Sequence, residues 1–66
     1  MVISQAAAVF VYVAQALEAD ALSGQTASRV IAATKQLLLA TQTDGEALLQ
    51  QNFTPEAQQL IRGHFG

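Results

Sequence analysis

The chain has 66 residues, a formal net charge of −2 and no cysteine, so it is at most one small domain without disulfide bonds. Its three basic residues are too few for the repeated phosphate contacts that nucleic-acid binding needs, and we expect no nucleic-acid partner. A single histidine, His64, leaves no ligand set for a structural zinc ion. We therefore expect neither a metal nor a cofactor.

The balance of apolar and charged residues bears on how so small a chain is stabilised. Apolar residues make up 52% and charged residues 12%, against about 45–50% and about 25% in typical soluble domains. A core of this size contributes only about 3–5 kcal/mol unless a disulfide, a metal or a partner chain adds to it. We expect part of the apolar surface to contact another protein chain, as a homodimer or a larger assembly.

The expected cellular location follows from two weaker features. The absence of cysteine is compatible with the reducing cytoplasm. No basic residue precedes the first apolar run, whereas a secretory signal peptide has a positively charged start. We expect a cytoplasmic protein.

The first predicted element is the run AAAVFVYVAQAL at residues 6–17. Its centre has the β-branched and aromatic residues of a strand, but the run is much longer than the usual five or six residues, and alanine flanks it on both sides. Between Val2 and Leu17, polar residues interrupt the run before it reaches the roughly 20 apolar residues of a membrane span. We predict a helix over about residues 2–20 and no membrane span.

The distribution of side chains around this helix predicts its place in the fold. At 100° per residue, the apolar arc covers nearly half of the circumference, which is wider than a coiled-coil seam. The helix should therefore contact at least two neighbours, as the central helix of a bundle. Val11 falls on the polar side near Glu18, which makes it a candidate for contact with a partner.

A turn and a second helix follow. Gly24 is expected to take the left-handed conformation that ends the first helix, and Ser23 or Thr26 to cap the next one. Apolar residues then recur at helical spacing, which predicts a helix over about residues 26–42.

Three residues of this second helix are predicted to bind a partner together with Val11. Val30 and Leu37 belong to its apolar face, and Leu39 falls among its polar residues, where a leucine suggests contact with another protein. The predicted partner-binding residues are thus Val11, Val30, Leu37 and Leu39.

Capping signals predict the rest of the chain. The spacing of Thr43 and Glu46 is that of a capping box and predicts a short helix over about residues 46–51. Thr54 followed by Pro55 is a strong helix start, which predicts a last helix over about residues 55–63. The whole chain, residues 1–66, is thus predicted to be one all-α domain. It is a three- to four-helix bundle built on an antiparallel hairpin of the first two helices and completed by oligomerisation.

Residues capable of catalysis do not form a recognisable group. His64 has no orienting partner, and Glu18 and Asp20 are two residues apart, so they do not face each other on a helix. The glycines are dispersed and form no phosphate-binding loop. We predict no catalytic residues and expect that the protein is not an enzyme.

One stretch resembles a known family. The segment TASRVIAATKQLLLAT, residues 26–41, is similar to an amphipathic helix of the talin rod, especially of its actin-binding tail. The resemblance implies a helical bundle that binds vinculin-like or actin partners through the apolar face of the second helix. The matching positions are Val30, Ala32, Thr34, Gln36, Leu37, Leu38 and Ala40.

The predicted function is that of a protein-interaction or oligomerisation module that acts through apolar helix faces. The alternative is a small helical dimeric regulator of the DNA-binding or toxin-neutralising type. That alternative requires basic residues clustered on one helix, and the three in this chain are scattered.

Overall fold

Four helices make up most of residues 4–66, the part of the chain that the computed structural model describes. They are α1 (Gln5–Glu18), α2 (Gly24–Thr41), α3 (Gly45–Asn52) and α4 (Pro55–Phe65), and no strand occurs within residues 4–66. The predicted all-α bundle is confirmed. The predicted start of the first helix, near residue 2, lies outside the described residues.

Local hydrogen bonds define both ends of α1. The Ser4 hydroxyl accepts a hydrogen bond from the Ala7 N–H at 3.1 Å, which caps the first turn. At the other end Asp20 takes a left-handed conformation with φ 56°, and the Ala21 N–H donates to the Ala16 carbonyl at 2.8 Å. This is a Schellman closure, in which the left-handed residue is most often glycine. Gly24 is left-handed as expected, but it does not close α1, because Asp20 performs that role four residues earlier.

Gly24 is instead the first residue of α2, with φ +60°. Ser23 stands at the N-cap position, but its side chain makes no capping hydrogen bond. The helix ends as α1 does: Gln42 is left-handed with φ 54°, and the Thr43 N–H donates to the Leu38 carbonyl at 2.9 Å. The C-terminal ends of α1 and α2 are therefore both set by backbone closures.

The start of α3 differs from the predicted capping box. Asp44 is the N-cap, and its Oδ1 accepts a hydrogen bond from the Ala47 N–H at 3.2 Å. The Thr43 hydroxyl instead lies 2.7 Å from the hydroxyl of Thr41. Glu46 forms an ion pair with Arg62 of α4. The start of α4 agrees with the expectation, since the Thr54 hydroxyl accepts from the N–H of residue 57 at 3.3 Å.

The core lies where α1, α3 and α4 meet. Phe10, Ala14, Leu49 and Ile61 form its buried centre, and the half-buried side chains of Val11, Leu38, Leu48, Phe53 and Phe65 pack against it. α1 packs against α2, α3 and α4, so it is the central helix. The Cα radius of gyration, 11.1 Å, equals that of a compact chain of this length, about 11 Å.

Gly45 allows α3 to begin very close to α1 and α2. A Cβ atom added to it would lie 3.3 Å from Leu38 Cδ1 and 3.4 Å from Phe10 Cζ. Leu38 is near the end of α2, whereas Phe10 is in the first half of α1. The two helices therefore run antiparallel, as predicted.

The lengths and hydropathy of the helices bear on membrane insertion. Within residues 4–66, none of the helices combines the length and the apolar character needed to cross a bilayer.

Candidate functional site

An open groove of about 390 Å³ lies where the four helices meet. We call it the Phe10 groove. The ring of Phe10 belongs both to this groove and to the core, and it lies 5.4 Å from the ring of Phe65, centroid to centroid, at an angle of 52°. The apolar floor consists of Phe10, Leu38, Leu49 and Phe65.

Charged side chains surround this apolar floor. Glu46, Arg62 and Lys35 line the groove, and Arg62 forms a bidentate ion pair with Glu46. The hydrogen bond from Arg62 is the main reason that the pKa of Glu46 is lowered, and the same bond raises the pKa of Arg62. The two side chains are 51% and 41% exposed, so water and salt screen the pair.

Gln58 holds Arg62 in this position. Its Oε1 accepts a hydrogen bond from Arg62 Nη2 at 3.0 Å, and its Nε2 donates to the Phe53 carbonyl at 2.8 Å. Gln58 thus links the rim of the groove to the C-terminal end of α3. The arrangement gives the groove an apolar floor beside an oriented cation.

A second groove, of about 430 Å³, lies between α1 and α3. We call it the Tyr12 groove, because the side chain of Tyr12 at its edge is 74% exposed. No charged side chain is among the described residues that line it. The lining residues are Ala7, Ala8, Val11, Tyr12, Gln15, Leu48, Gln51 and Asn52.

Large apolar side chains are also exposed outside the grooves. Leu39, on α2, is 76% exposed, and Leu60, on α4, is 48% exposed. Lone exposed leucines are common on protein surfaces. Leu39 does not line the Phe10 groove, but it is four residues after Lys35, which does, so the two side chains are neighbours on the surface of α2.

The four predicted partner-binding residues do not form one surface. Leu39 is exposed, as expected from its place on the polar side of α2. Val11 was expected to be exposed, but it is half-buried beside α3, where it packs against the core and lines the Tyr12 groove. Val30 and Leu37 are half-buried on α2 and line neither groove. Their role in binding stays a prediction.

Residues with potential catalytic or metal-binding chemistry are dispersed in the structure. His64 is exposed in the last turn of α4. Within residues 4–66, no three histidine or acidic side chains are close enough to hold a metal ion.

The sequence did not point to Lys35 and Arg62 as parts of a site. Arg62 and its partner Glu46 are 16 residues apart, on different helices. Only the packing of α4 against α3 brings them together. No helical spacing could have revealed this contact.

Comparison with known proteins gives one partial match. A family model described as an importin repeat matches residues 1–31, which include all of α1 and the first turns of α2. No match was found among curated proteins or among solved structures. The match names a helical repeat and not a talin helix, so the resemblance of residues 26–41 to talin stays unconfirmed.

Proposed function

We propose that this chain is a non-enzymatic helical module that binds other proteins through apolar surface left open by its bundle. The observation that carries the proposal is the Phe10 groove, in which the half-buried side chains of Leu38 and Phe65 lie beside the buried Phe10 and Leu49. Pockets of about 300–1,000 Å³ with apolar walls and a few placed polar groups are typical of binding sites.

The partial match to an importin repeat supports the same proposal. Units of helical repeat proteins bury apolar surface against neighbouring units and present extended surfaces for protein binding. In this chain the matched segment includes Tyr12, one of the most exposed apolar side chains. The matched segment therefore carries surface suited to contact with another chain.

We further propose that the chain associates with itself, through the Tyr12 groove. The chain has a net charge of −2, so two copies repel each other weakly at long range. Contact through a groove without charged lining residues avoids burying charge at the interface. Val11 lies in this groove and would be covered when a second copy binds.

The test of self-association is sedimentation equilibrium of the whole chain from low to high micromolar concentration. We expect a dimer or larger species, weakened by Tyr12→Asp. The control is Gln36→Asp, which adds the same charge at an exposed polar position of α2 that lines neither groove. A chain that stays monomeric throughout this range would refute self-association.

Binding to other proteins is tested separately, by affinity purification with the whole chain. We expect Leu39→Asp to reduce recovery of its partners, whereas Ser28→Asp, at an exposed polar position of α2 that lines neither groove, should not. Recovery of the same partners in the same amounts with both variants would show that the edge of the Phe10 groove is not the contact.

The cytoplasmic location remains a prediction, to be checked by imaging the tagged chain.

A further inference from the structure

The Phe10 groove has a local charge opposite to that of the molecule. The chain carries a net charge of −2, yet two of its three basic side chains, Lys35 and Arg62, line this groove. Glu46 is its one acidic lining residue among those described. The groove is therefore a positive region next to apolar surface in an acidic protein.

Only one of these two cations is available to a partner. Arg62 is held by Glu46 and by Gln58. Lys35 is exposed and forms no ion pair among the described residues. Asp44, two residues before Glu46, accepts a hydrogen bond at the start of α3, where the backbone amides balance part of its charge.

We propose that the Phe10 groove binds an acidic amphipathic peptide segment of a partner protein. One or two large apolar side chains of the segment fill the groove over Phe10 and Leu38, and a neighbouring carboxylate pairs with Lys35. This inference rests on the proposed function, since it assumes a protein partner. It adds the chemistry of the segment that binds.

The position of Leu39 indicates how the segment continues beyond the groove. Leu39 is one helical turn from Lys35 and is 76% exposed. A segment whose carboxylate meets Lys35 passes over Leu39 and covers it with a further apolar side chain. Apolar anchors one turn apart, flanked by a charge, are the pattern of an amphipathic helix that binds in a groove.

Charge complementarity decides between this occupant and a basic or neutral one. A basic segment would place its cations next to Lys35 and would meet only Glu46, which is already paired with Arg62. A neutral segment would leave Lys35 without a partner at the edge of the interface. Only an acidic amphipathic segment can both cover the apolar floor and pair with Lys35. Added salt screens this ion pair and therefore weakens binding.

The experiment is a selection of displayed random 16-residue peptides on the immobilised whole chain at low ionic strength. We expect the enriched peptides to combine large apolar residues with Asp or Glu. A synthetic copy of an enriched peptide should bind about tenfold more weakly to Lys35→Glu, and its affinity should fall with added salt.

The matched control is Arg29→Glu, which makes the same charge change on the same helix at an exposed residue outside both grooves. Its affinity for the peptide should stay within about twofold of that of the unmodified chain. The thermal melting of each variant, followed by circular dichroism, verifies that it is folded.

The outcomes separate this inference from the proposed function. Enriched peptides that are neutral or basic, or that bind Lys35→Glu as tightly as the unmodified chain, overturn the acidic segment and leave the protein-binding module standing. Enriched peptides that shift the NMR signals of Tyr12-groove residues and not those of Phe10-groove residues also overturn the acidic segment and leave the protein-binding module standing. A selection that enriches nothing counts against both proposals.

Discussion

At the scale of single residues, three glycines occupy positions with different structural requirements. Gly24 has φ +60°, which a residue with a Cβ rarely adopts. Gly45 allows a close approach to Leu38 and Phe10. Gly63 lies within α4, and a Cβ added there would meet nothing within 4 Å. Glycine at this last position has no structural requirement that we can identify, and it lowers helix propensity.

Gly63→Ala should therefore stabilise the protein. Alanine in a helix interior is favoured over glycine by about 0.5–1 kcal/mol, and this is the upper bound of the gain because Gly63 lies in the last turn of α4. For a domain of this size, that corresponds to an increase in Tm of about 2–8 °C. Thermal unfolding followed by circular dichroism measures the change.

Gly45→Ala is the contrasting variant. Its Cβ would lie 3.3 Å from Leu38 Cδ1, so the neighbouring side chains must shift. Gly45 is also the first residue of α3, where helix propensity counts for less than in the interior. We expect no gain in Tm. An equal gain in both variants would show that the packing around Gly45 is looser than these distances indicate.

At the scale of elements, the helix starts differ in how they are capped. The Thr54 hydroxyl accepts the Ala57 N–H at the start of α4. Ser23 holds the same position before α2 without a side-chain hydrogen bond. Two N-cap residues with similar side chains are thus predicted to contribute differently to stability.

Thr54→Ala should lower the free energy of unfolding by about 1 kcal/mol, because the Ala57 N–H loses its partner. Ser23→Ala should change it by no more than about 0.5 kcal/mol. Urea unfolding of both variants and of Thr54→Ser, which keeps the hydroxyl, provides the comparison. Equal losses for Thr54→Ala and Ser23→Ala would contradict the assignment of the caps.

The ion pair between α3 and α4 predicts a pH dependence of stability. The pKa of Glu46 in the folded chain is lowered from 4.5, chiefly by its hydrogen bond with Arg62. Its stabilising effect is therefore complete above the unfolded pKa and is lost as the pH falls through the lower, folded pKa. At pH 7, Glu46→Gln should melt at a lower temperature than the unmodified chain.

The difference in Tm between these two proteins should disappear in strong acid and shrink with added salt. A double-mutant cycle with Arg62→Gln isolates the pair, since Glu46→Gln should have no further effect once Arg62 is replaced. If Glu46→Gln were equally destabilising in both backgrounds, Glu46 would act through another contact.

Local sequence signals predict many of the helix starts and ends, and the incorrect predictions have identifiable causes. Thr54 and Pro55 predicted the start of α4 because capping depends on neighbouring residues alone. The end of α1 was predicted near residue 20, but the left-handed residue that closes it was expected to be Gly24 and is Asp20. Aspartate adopts the left-handed conformation more readily than most residues, so the closure forms at the first suitable residue. Asp44 likewise replaces Thr43 as the cap of α3.

At the scale of the whole molecule, the candidate site depends on contacts that no local pattern contains. The exposure of Leu39 follows from its own helix and was predicted. Val11 was predicted to be exposed in the same way, but the neighbouring α3 leaves it half-buried at the Tyr12 groove. The Phe10 groove needs all four helices, and its pairing of Glu46 with Arg62 spans 16 residues of sequence. Composition nevertheless predicted that apolar surface would remain open.

Substitutions of Ile61 test whether the bundle unfolds in one cooperative transition. It is completely buried in the core, whereas its neighbour Leu60 is 48% exposed. Ile61→Ala should cost about 2–5 kcal/mol, and Leu60→Ala should cost much less. Because the first change could unfold so small a chain, Ile61→Val, with an expected cost of about 0.5–1.5 kcal/mol, provides a second measurement.

For Ile61→Val, we expect the helical circular dichroism signal to be lost in a single thermal transition. Similar losses for Ile61→Ala and Leu60→Ala would mean that the core is not centred on Ile61.

The position of Tyr12 has an optical consequence. The chain has one tyrosine and no tryptophan, so its intrinsic ultraviolet emission comes from the Tyr12 groove. Tyr12 does not line the Phe10 groove. A partner that covers the α1–α3 face changes this emission, whereas a segment lacking chromophores that binds in the Phe10 groove leaves it nearly unchanged. Spectroscopy of the unlabelled protein therefore distinguishes which of its two grooves is occupied.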